Sequence, residues 1–259
     1  MKNALLWQIT SPEGMKSFLF GTMHVRDLQA FTGMDQVFRC IDQSDRYYSE
    51  IEIGESGLEA LSEFQQFPGG EDVTDLISGH QYERLRKSIN RSFGMDIDRF
   101  RHFYPMIIAN LIQTSILSQA SDVIMDYHLY RYAGNQGKEM HFLESQMEQL
   151  RLFQSIPMDY QIRSLLGLGR QPAKAKKQIL DLLGDYADKN TRLLYQRSRK
   201  QLGKLRQVLL YQRNLDMTDM LIKDLNTNSG FVGVGAAHLF GYKGILRLMK
   251  KSGFKIQPL

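Results

Sequence analysis

The 259 residues carry 33 Lys and Arg against 28 Asp and Glu, a formal charge of +5, with 42% hydrophobic and 24% charged residues. This is the composition of an ordinary globular protein, which excludes a disordered chain, a collagen-like fibre and a disulfide scaffold, and the length suffices to bury a sizeable core. Cys40 is the single cysteine, so no internal disulfide forms, and its place in the apolar run Val37-Phe38-Arg39-Cys40-Ile41 predicts a buried thiol.

Along the chain, residues 4–9 and 16–21 are short apolar runs separated by Ser11-Pro12-Glu13-Gly14, a turn composition that predicts a hairpin. The first apolar stretch is too short for the core of a signal peptide. A helix is expected over residues 34–43. Residues 46–53 alternate, which predicts a strand with Tyr48, Glu50 and Glu52 on one face and Tyr47, Ser49, Ile51 and Ile53 on the other. Several helices are expected through residues 58–134. The most apolar of them, 105–120, is interrupted by Asn110, Gln113, Thr114, Ser115 and Ser118. A bilayer span needs about 20 largely apolar residues, so it reads as a core helix. Residues 139–143 form a fourth strand. Ser145, with Glu148 three residues on, is a capping box opening a helix to residue 153. Helices then run to residue 225, followed by a strand at 230–235, a helix at 242–252 and a last strand at 254–257. No stretch addresses the chain to a membrane, and a soluble cytoplasmic protein is expected.

Charge is unevenly spread. Residues 161–213 hold 13 Lys and Arg against three Asp. The stretch is expected to form consecutive helices outside the sheet, with breaks near residues 167–172 and 188–191. Its charge reads as solvated helix faces or a homodimer surface rather than a nucleic-acid site, although a basic face can concentrate polyanions.

The chemistry-bearing positions cluster at strand ends. Gly21-Thr22-Met23-His24 follows one expected strand and Gly235-Ala236-Ala237-His238 another. Glycine ends a strand with a sharp turn or a close approach, and a His three residues later stands at the strand's carboxyl edge, where ligand sites of open α/β sheets lie. There it suits a metal ligand, a proton carrier or a hydrogen-bond donor. Glu50 and Glu52 share a strand face that is either functional or simply solvated. Glu144 ends its strand where the next helix begins and can complement that helix's dipole. Asp126 lines up with Leu129, Tyr130 and Ala133, and Arg213 with Leu209, Met217 and Met220. Charges on apolar stripes need partners, so these two are expected beside each other or beside another polar site residue. His80, His102, His128 and His141 have no motif context. The chain lacks a Gly-x-Ser-x-Gly elbow, a Walker loop, His-Glu-x-x-His and Cys-x-x-Cys.

Taken together, Leu5-Leu6-Trp7-Gln8-Ile9, Phe18-Leu19-Phe20-Gly21-Thr22-Met23-His24-Val25, Asp126 with Leu129, Leu143-Glu144-Ser145, Gln212-Arg213-Asn214 and Val234-Gly235-Ala236-Ala237-His238-Leu239-Phe240-Gly241 keep the order of one family. In this set the chain resembles the TraB/PrgY/GumN family, which includes the Tiki proteases. The resemblance implies a central mixed sheet with flanking helices of the erythromycin-esterase/ChaN-like kind. It implies one α/β domain over residues 1–259, with a large helical insertion. It also implies metal-dependent peptidase chemistry with a divalent ion of the manganese or cobalt type, zinc being an alternative. In that reading His24, His238 and Glu50 are metal ligands, and Glu50, Arg213 and Glu144 are catalytic. Asp126 and Asn214 contact a peptide or small-molecule substrate. Glu50 is either a ligand or the base, and Arg213 stabilises an oxyanion or holds a substrate carboxylate. The alternative is a regulator that binds peptides or small ligands in the same cleft without turnover.

Overall fold

The computed structural model describes residues 3–23, 31, 33–52, 66–67, 70–116 and 124–259. β1 (Leu6–Thr10) and β2 (Lys16–Thr22) form the expected hairpin, in register from Leu6 opposite Phe20 to Thr10 opposite Lys16. Its turn closes with Gly14 N donating to Ser11 O and Met15 N to Ser11 Oγ, and Gly14 takes a φ of 91° that favours glycine. α1 (Met34–Asp42) buries Met34, Val37, Cys40 and Ile41 on one stripe. β3 (Arg46–Ser49) is shorter than the alternation over 46–53 suggests: the Ser49 hydroxyl donates to Ile51 O and bends the chain there. Ile53 lies outside the described residues.

α2 (Val73–Leu76), α3 (Gly79–Phe93), a 3-10 turn (Ile97–Phe100) and α4 (Pro105–Ser115) follow. α5 (Met125–Asn135), β4 (Glu139–Phe142), α6 (Gln146–Gln154) and α7 (Met158–Arg170) come next. α8 (Pro172–Ala187) and α9 (Thr191–Leu202) lead into a π-helical stretch (Gln207–Gln212) and α10 (Arg213–Leu225). β5 (Gly230–Gly235), the short α11 (Ala236–Leu239), α12 (Ile245–Lys251) and β6 (Lys255–Pro258) complete the chain. The basic stretch 161–213 is helical with breaks at Gln171 and at residues 188–190, as its composition suggested. Parts of the helical run expected over 58–134 fall outside the described residues. No helix among the described residues is long and apolar enough to cross a membrane.

The chain divides into two compact units. One comprises Met1–Ile53, Ala120–Ser145 and Leu182–Leu259, the other Gly54–Gln119 and Gln146–Asp181. The first is α/β, with a six-stranded mixed sheet in the order β4-β3-β5-β2-β1-β6. β2, β3, β4 and β5 run parallel, while β1 is antiparallel to β2 and β6 to β1. The apolar run Phe231–Val234 of β5 is buried on both faces, as expected for a central parallel strand. α10 covers the sheet with Met217, Leu221 and Leu225, an i, i+4, i+8 stripe that is fully buried. Burying each such side chain is worth roughly 1.5–3 kcal/mol. Met220, which sequence spacing placed with them, is 47% exposed, because it sits three residues past Met217 on the opposite side of the stripe's drift.

The second unit is helical. Tyr82, Leu85 and Ile89 of α3 pack with Ile107, Ile108 and Ile112 of α4 and Leu165 of α7. Fully buried Gln161 ties this core together: its Oε1 accepts from Met106 N in the first turn of α4, and its Nε2 donates to Phe153 O and Ile156 O. One side chain thus satisfies backbone groups in the first turn of α4, in the last turn of α6 and in the loop that follows it.

Candidate active site

The four parallel strands of the α/β unit end on one edge. The residues that follow β3, β4 and β5 carry Glu50, Glu144 and His238. Their alignment is set by backbone pairing: Leu143 N donates to Ser49 O and Glu144 N to Glu50 O, so the β3–β4 ladder continues to the two carboxylates. Gly21 is paired with Val234 and Thr22 with Gly235, which sets the two Gly-x-x-His motifs on neighbouring strand ends. A Cβ on Gly21 would lie 2.7 Å from Leu239 Cδ1 and 3.0 Å from Ala236 Cα, so the first motif's glycine lets the second motif's helix pack directly on β2. His24 lies outside the described residues.

Arg213 organises the edge. Its Nε donates to Glu144 Oε1 at 2.7 Å, and its Nη2 donates to Glu144 Oε2 at 2.7 Å and to Glu50 Oε2 at 2.6 Å. Its Nη1 donates to Leu209 O at 3.2 Å and faces His238 Nε2 at 3.4 Å. All five N–H groups are directed at acceptors, four of the contacts within 3.2 Å. Burial pulls the Arg213 pKa down, but the charges of Glu50 and Glu144 and their hydrogen bonds outweigh it and hold it well above its ordinary value. The π-helical turn preceding Arg213 is a feature often found at functional sites, and Leu209 O belongs to it.

Glu50 is held at both oxygens, Oε2 by Arg213 and Oε1 by Gly235 N at 2.7 Å. With its side chain 12% exposed it is not part of a solvated sheet face, whereas Glu52 is exposed. His238 is buried, and its Nδ1 lies 2.6 Å from Asn214 Oδ1. The amide orientation is fixed because Asn214 Nδ2 donates to Lys243 O at 2.7 Å. Asn214 therefore presents its oxygen to a proton on His238 Nδ1, and His238 Nε2 faces Glu50 Oε1 at 3.7 Å. Asn214 is fully buried, with both ends of its amide engaged by protein groups.

Asp126 sits elsewhere in the same unit. Its Oδ1 accepts from Thr22 Oγ1 at 2.6 Å, inside the first Gly-x-x-His motif. Nearby, the fully buried Tyr186 donates to Gly21 O at 2.8 Å. Burial first, then the Asp126 charge, raises the Tyr186 and Tyr47 hydroxyl pKa values well above normal. Thus Arg213 takes Glu144 and Glu50 as partners rather than Asp126. Sequence reading missed Thr22, Tyr186 and the Gly235 N–H. Thr22 was open to discovery, since it occupies the second position of a motif already singled out; the other two act through groups with no sequence signature.

The donor chemistry suits a divalent cation in part. A neutral imidazole with its far nitrogen hydrogen-bonded is the usual arrangement for a metal-ligating His. Donors sharing one ion at ~2.1 Å stand roughly 3–3.5 Å apart, close to the 3.7 Å between His238 Nε2 and Glu50 Oε1. The trio Glu50, Glu144 and Arg213 carries a net negative charge. Among the described residues no group of three His, Cys, Asp or Glu side chains is arranged to hold an ion.

The fold and edge cluster define an α/β protein whose polar site lies at the carboxyl ends of parallel strands. Residues 5–258 match the TraB/PrgY/gumN family, and the chain belongs to that family. It is 21% identical to Metalloprotease TIKI2 of Danio rerio, over 98% of this chain and 61% of that protein. It is also 22% identical to a Metalloprotease TIKI homolog of Nematostella vectensis, over 98% of this chain and 67% of that protein, and to one of Amphimedon queenslandica, over 100% and 62%. The chain spans about three fifths to two thirds of these relatives' length.

Proposed function

We propose that this chain is a metal-dependent hydrolase acting on peptides, with a fold of the erythromycin-esterase/ChaN-like kind. The observation that carries the reading is the convergence of Glu50 and Arg213 on His238 Nε2 at the edge of the parallel strands, with Glu144 bound to the Arg213 fork. The metalloprotease names of the relatives support it. In this reading His238 and Glu50 hold the ion together with His24, an ion of the manganese or cobalt type or zinc. Such an ion supplies Lewis-acid chemistry, polarising a peptide carbonyl and acidifying water.

The chain's own residues do the rest. Asn214 keeps the His238 proton on Nδ1 and the Nε2 lone pair directed at the site, a positioning role in place of substrate contact. Gly235 N–H and Arg213 hold the Glu50 carboxylate in place, one at each oxygen. Glu144, bound by the Arg213 fork, fixes the guanidinium plane. Arg213 Nη1 has the longest contacts and is the corner that can turn toward a developing oxyanion or a substrate carboxylate. Asp126, with Thr22, orders the end of β2 from which His24 follows.

The test is cleavage of an unbiased peptide library by purified protein loaded in turn with manganese, cobalt and zinc. Metal-stimulated cleavage is expected, with Glu50→Gln losing at least ~10²-fold in rate. Retained metal affinity in that variant makes Glu50 the base; a parallel fall in affinity makes it a ligand. No cleavage with any of the three ions overturns the enzyme reading in favour of a non-catalytic binding regulator.

A further inference from the structure

We propose that the groove between α3 and α7 in the helical unit is a binding site for a small phosphate-bearing ligand. The groove encloses about 480 Å³, within the ~300–1,000 Å³ of small-ligand sites. Its floor is apolar, formed by buried Leu85 and Leu166. Its rim is cationic: Arg84, Lys87 and Arg91 come from α3 and Arg170 from the last residue of α7, and no acidic residue lines it.

The spacing of the three α3 cations, i, i+3 and i+7, puts them on one face of the helix, where like charges repel. Neighbouring arginines are treated differently. Arg86 pairs with Glu83 at 3.0 Å, Arg101 with Asp72 at 3.2 Å and Arg99 with Asp96 at 3.8 Å. None of the ion pairs among the described residues includes Arg84, Lys87, Arg91 or Arg170. The close ion pairs of this region go to cations outside the groove; of the groove cations only Lys87 feels a neighbouring carboxylate, Glu83 one turn away on the same helix, and that carboxylate is itself engaged by Arg86.

The walls are held in place. Ser88 Oγ donates to Gly169 O at 2.7 Å, and a Cβ on Gly169 would come within 2.6 Å of Leu85 Cδ1, so the two helices meet closely at the groove's base. A preformed site loses less entropy on binding. Four exposed cations around one half-open groove match the dense charge of phosphate groups, which guanidinium forks bind bidentately. An acidic peptide spaces its carboxylates along a backbone and would need a longer track. The apolar floor gives the body of such a ligand somewhere to lie.

The site is independent of the hydrolase reading and is tested without it. The full chain, with EDTA present so that metal binding contributes nothing, is titrated calorimetrically with ATP and with pyrophosphate at physiological salt. Binding of either is expected. It should weaken at least tenfold in Arg84→Glu/Lys87→Glu and change less than twofold in Arg99→Glu/Lys176→Glu. The latter variant makes the same charge change at exposed positions outside the groove. Circular dichroism checks that both variants fold. The proposal is overturned if neither probe binds, if the control variant weakens binding equally, or if a glutamate-rich heptapeptide binds more tightly than ATP.

Discussion

Two ionic networks stand at opposite ends of the same two elements, β3 and α10, and they differ in burial and in composition. At the start of β3, Arg46 pairs with Glu139 at 3.0 Å and with Asp224 near the end of α10, and the Tyr48 hydroxyl also donates to Asp224. There the side chains are 23% exposed for Arg46, 28% for Asp224 and 58% for Glu139. Past the end of β3, Arg213 at the start of α10 holds Glu50 and Glu144, with side chains 16%, 12% and 11% exposed. The first network wedges the helix onto the sheet in contact with water. The second concentrates two carboxylates, a guanidinium and an imidazole lone pair with little solvent to screen them, which is where electrostatics acts most strongly on chemistry. Asp224 also lies in the last turn of its helix, where the dipole disfavours an anion, so its position follows from Arg46 and Tyr48.

The largest expected effect breaks the buried network. Arg213→Ala leaves two carboxylates side by side and should cost about 3–5 kcal/mol in urea unfolding. Adding Glu50→Gln and Glu144→Gln should recover part of that loss, because no charge is then left buried and unpaired; an unchanged triple variant would show that the carboxylates are solvated. Arg213→Lys should fall between, retaining the charge without the fork.

Asn214→Ala comes next. Removing the acceptor for His238 Nδ1–H and the donor to Lys243 O should lower catalytic rate and metal affinity about tenfold or more, in the ~10–100-fold range of residues that orient a metal-binding His. Asn214→Asp, which keeps an acceptor toward His238, should rescue more metal affinity than Asn214→Ala. Equal affinity in the two would separate Asn214 from the His238 tautomer.

The water-facing network should give less. Asp224→Asn is expected to cost about 1.5 kcal/mol, the low end of the range for hydrogen bonds to charged groups, because the carboxylate is partly exposed. Burial raises the Asp224 pKa, but hydrogen bonds from Tyr48 and Arg46 and the Arg46 charge lower it further, so it ends below its ordinary value. A carboxylate with a depressed folded pKa contributes stability above its unfolded pKa of about 3.9 and loses it as pH falls through the folded value. Wild type should therefore lose more stability than Asp224→Asn between about pH 5 and the depressed folded value. Parallel curves from acid titration of unfolding would refute this.

The smallest effect is at Cys40, on α1 and away from both networks. Burial pushes its thiol up to about 11, so alkylation by iodoacetamide at pH 8.5 should be slow in the folded protein and fast in urea. Fast labelling without unfolding would show that α1 opens locally.

Much of the α/β unit was legible in the chain because its strands carry period-two or continuous apolar runs bounded by turn residues. The hairpin closed by Ser11 to Gly14, the buried β5 and the glycines that end β2 and β5 could each be read within a few residues. The two Gly-x-x-His motifs, Glu50 and Glu144 could be singled out as residues following strands, and Asp126 and Arg213 as charges on apolar stripes. What sequence could not supply was the choice of partners. Whether Arg213 meets Asp126 or Glu144 depends on strand order and on the parallel register that carries Ser49 past Gly233 and Glu50 past Glu144, contacts between residues 69 to 185 positions apart. Gln161 carries no signal in the sequence, and only the packing of α4, α6 and α7 reveals it as a buried link among three stretches of backbone. Local chemistry writes strands, turns and reactive residue types into the chain. Which charges share a site is decided by long-range pairing, because an ion pair forms only where the backbone has already brought its members within hydrogen-bond distance.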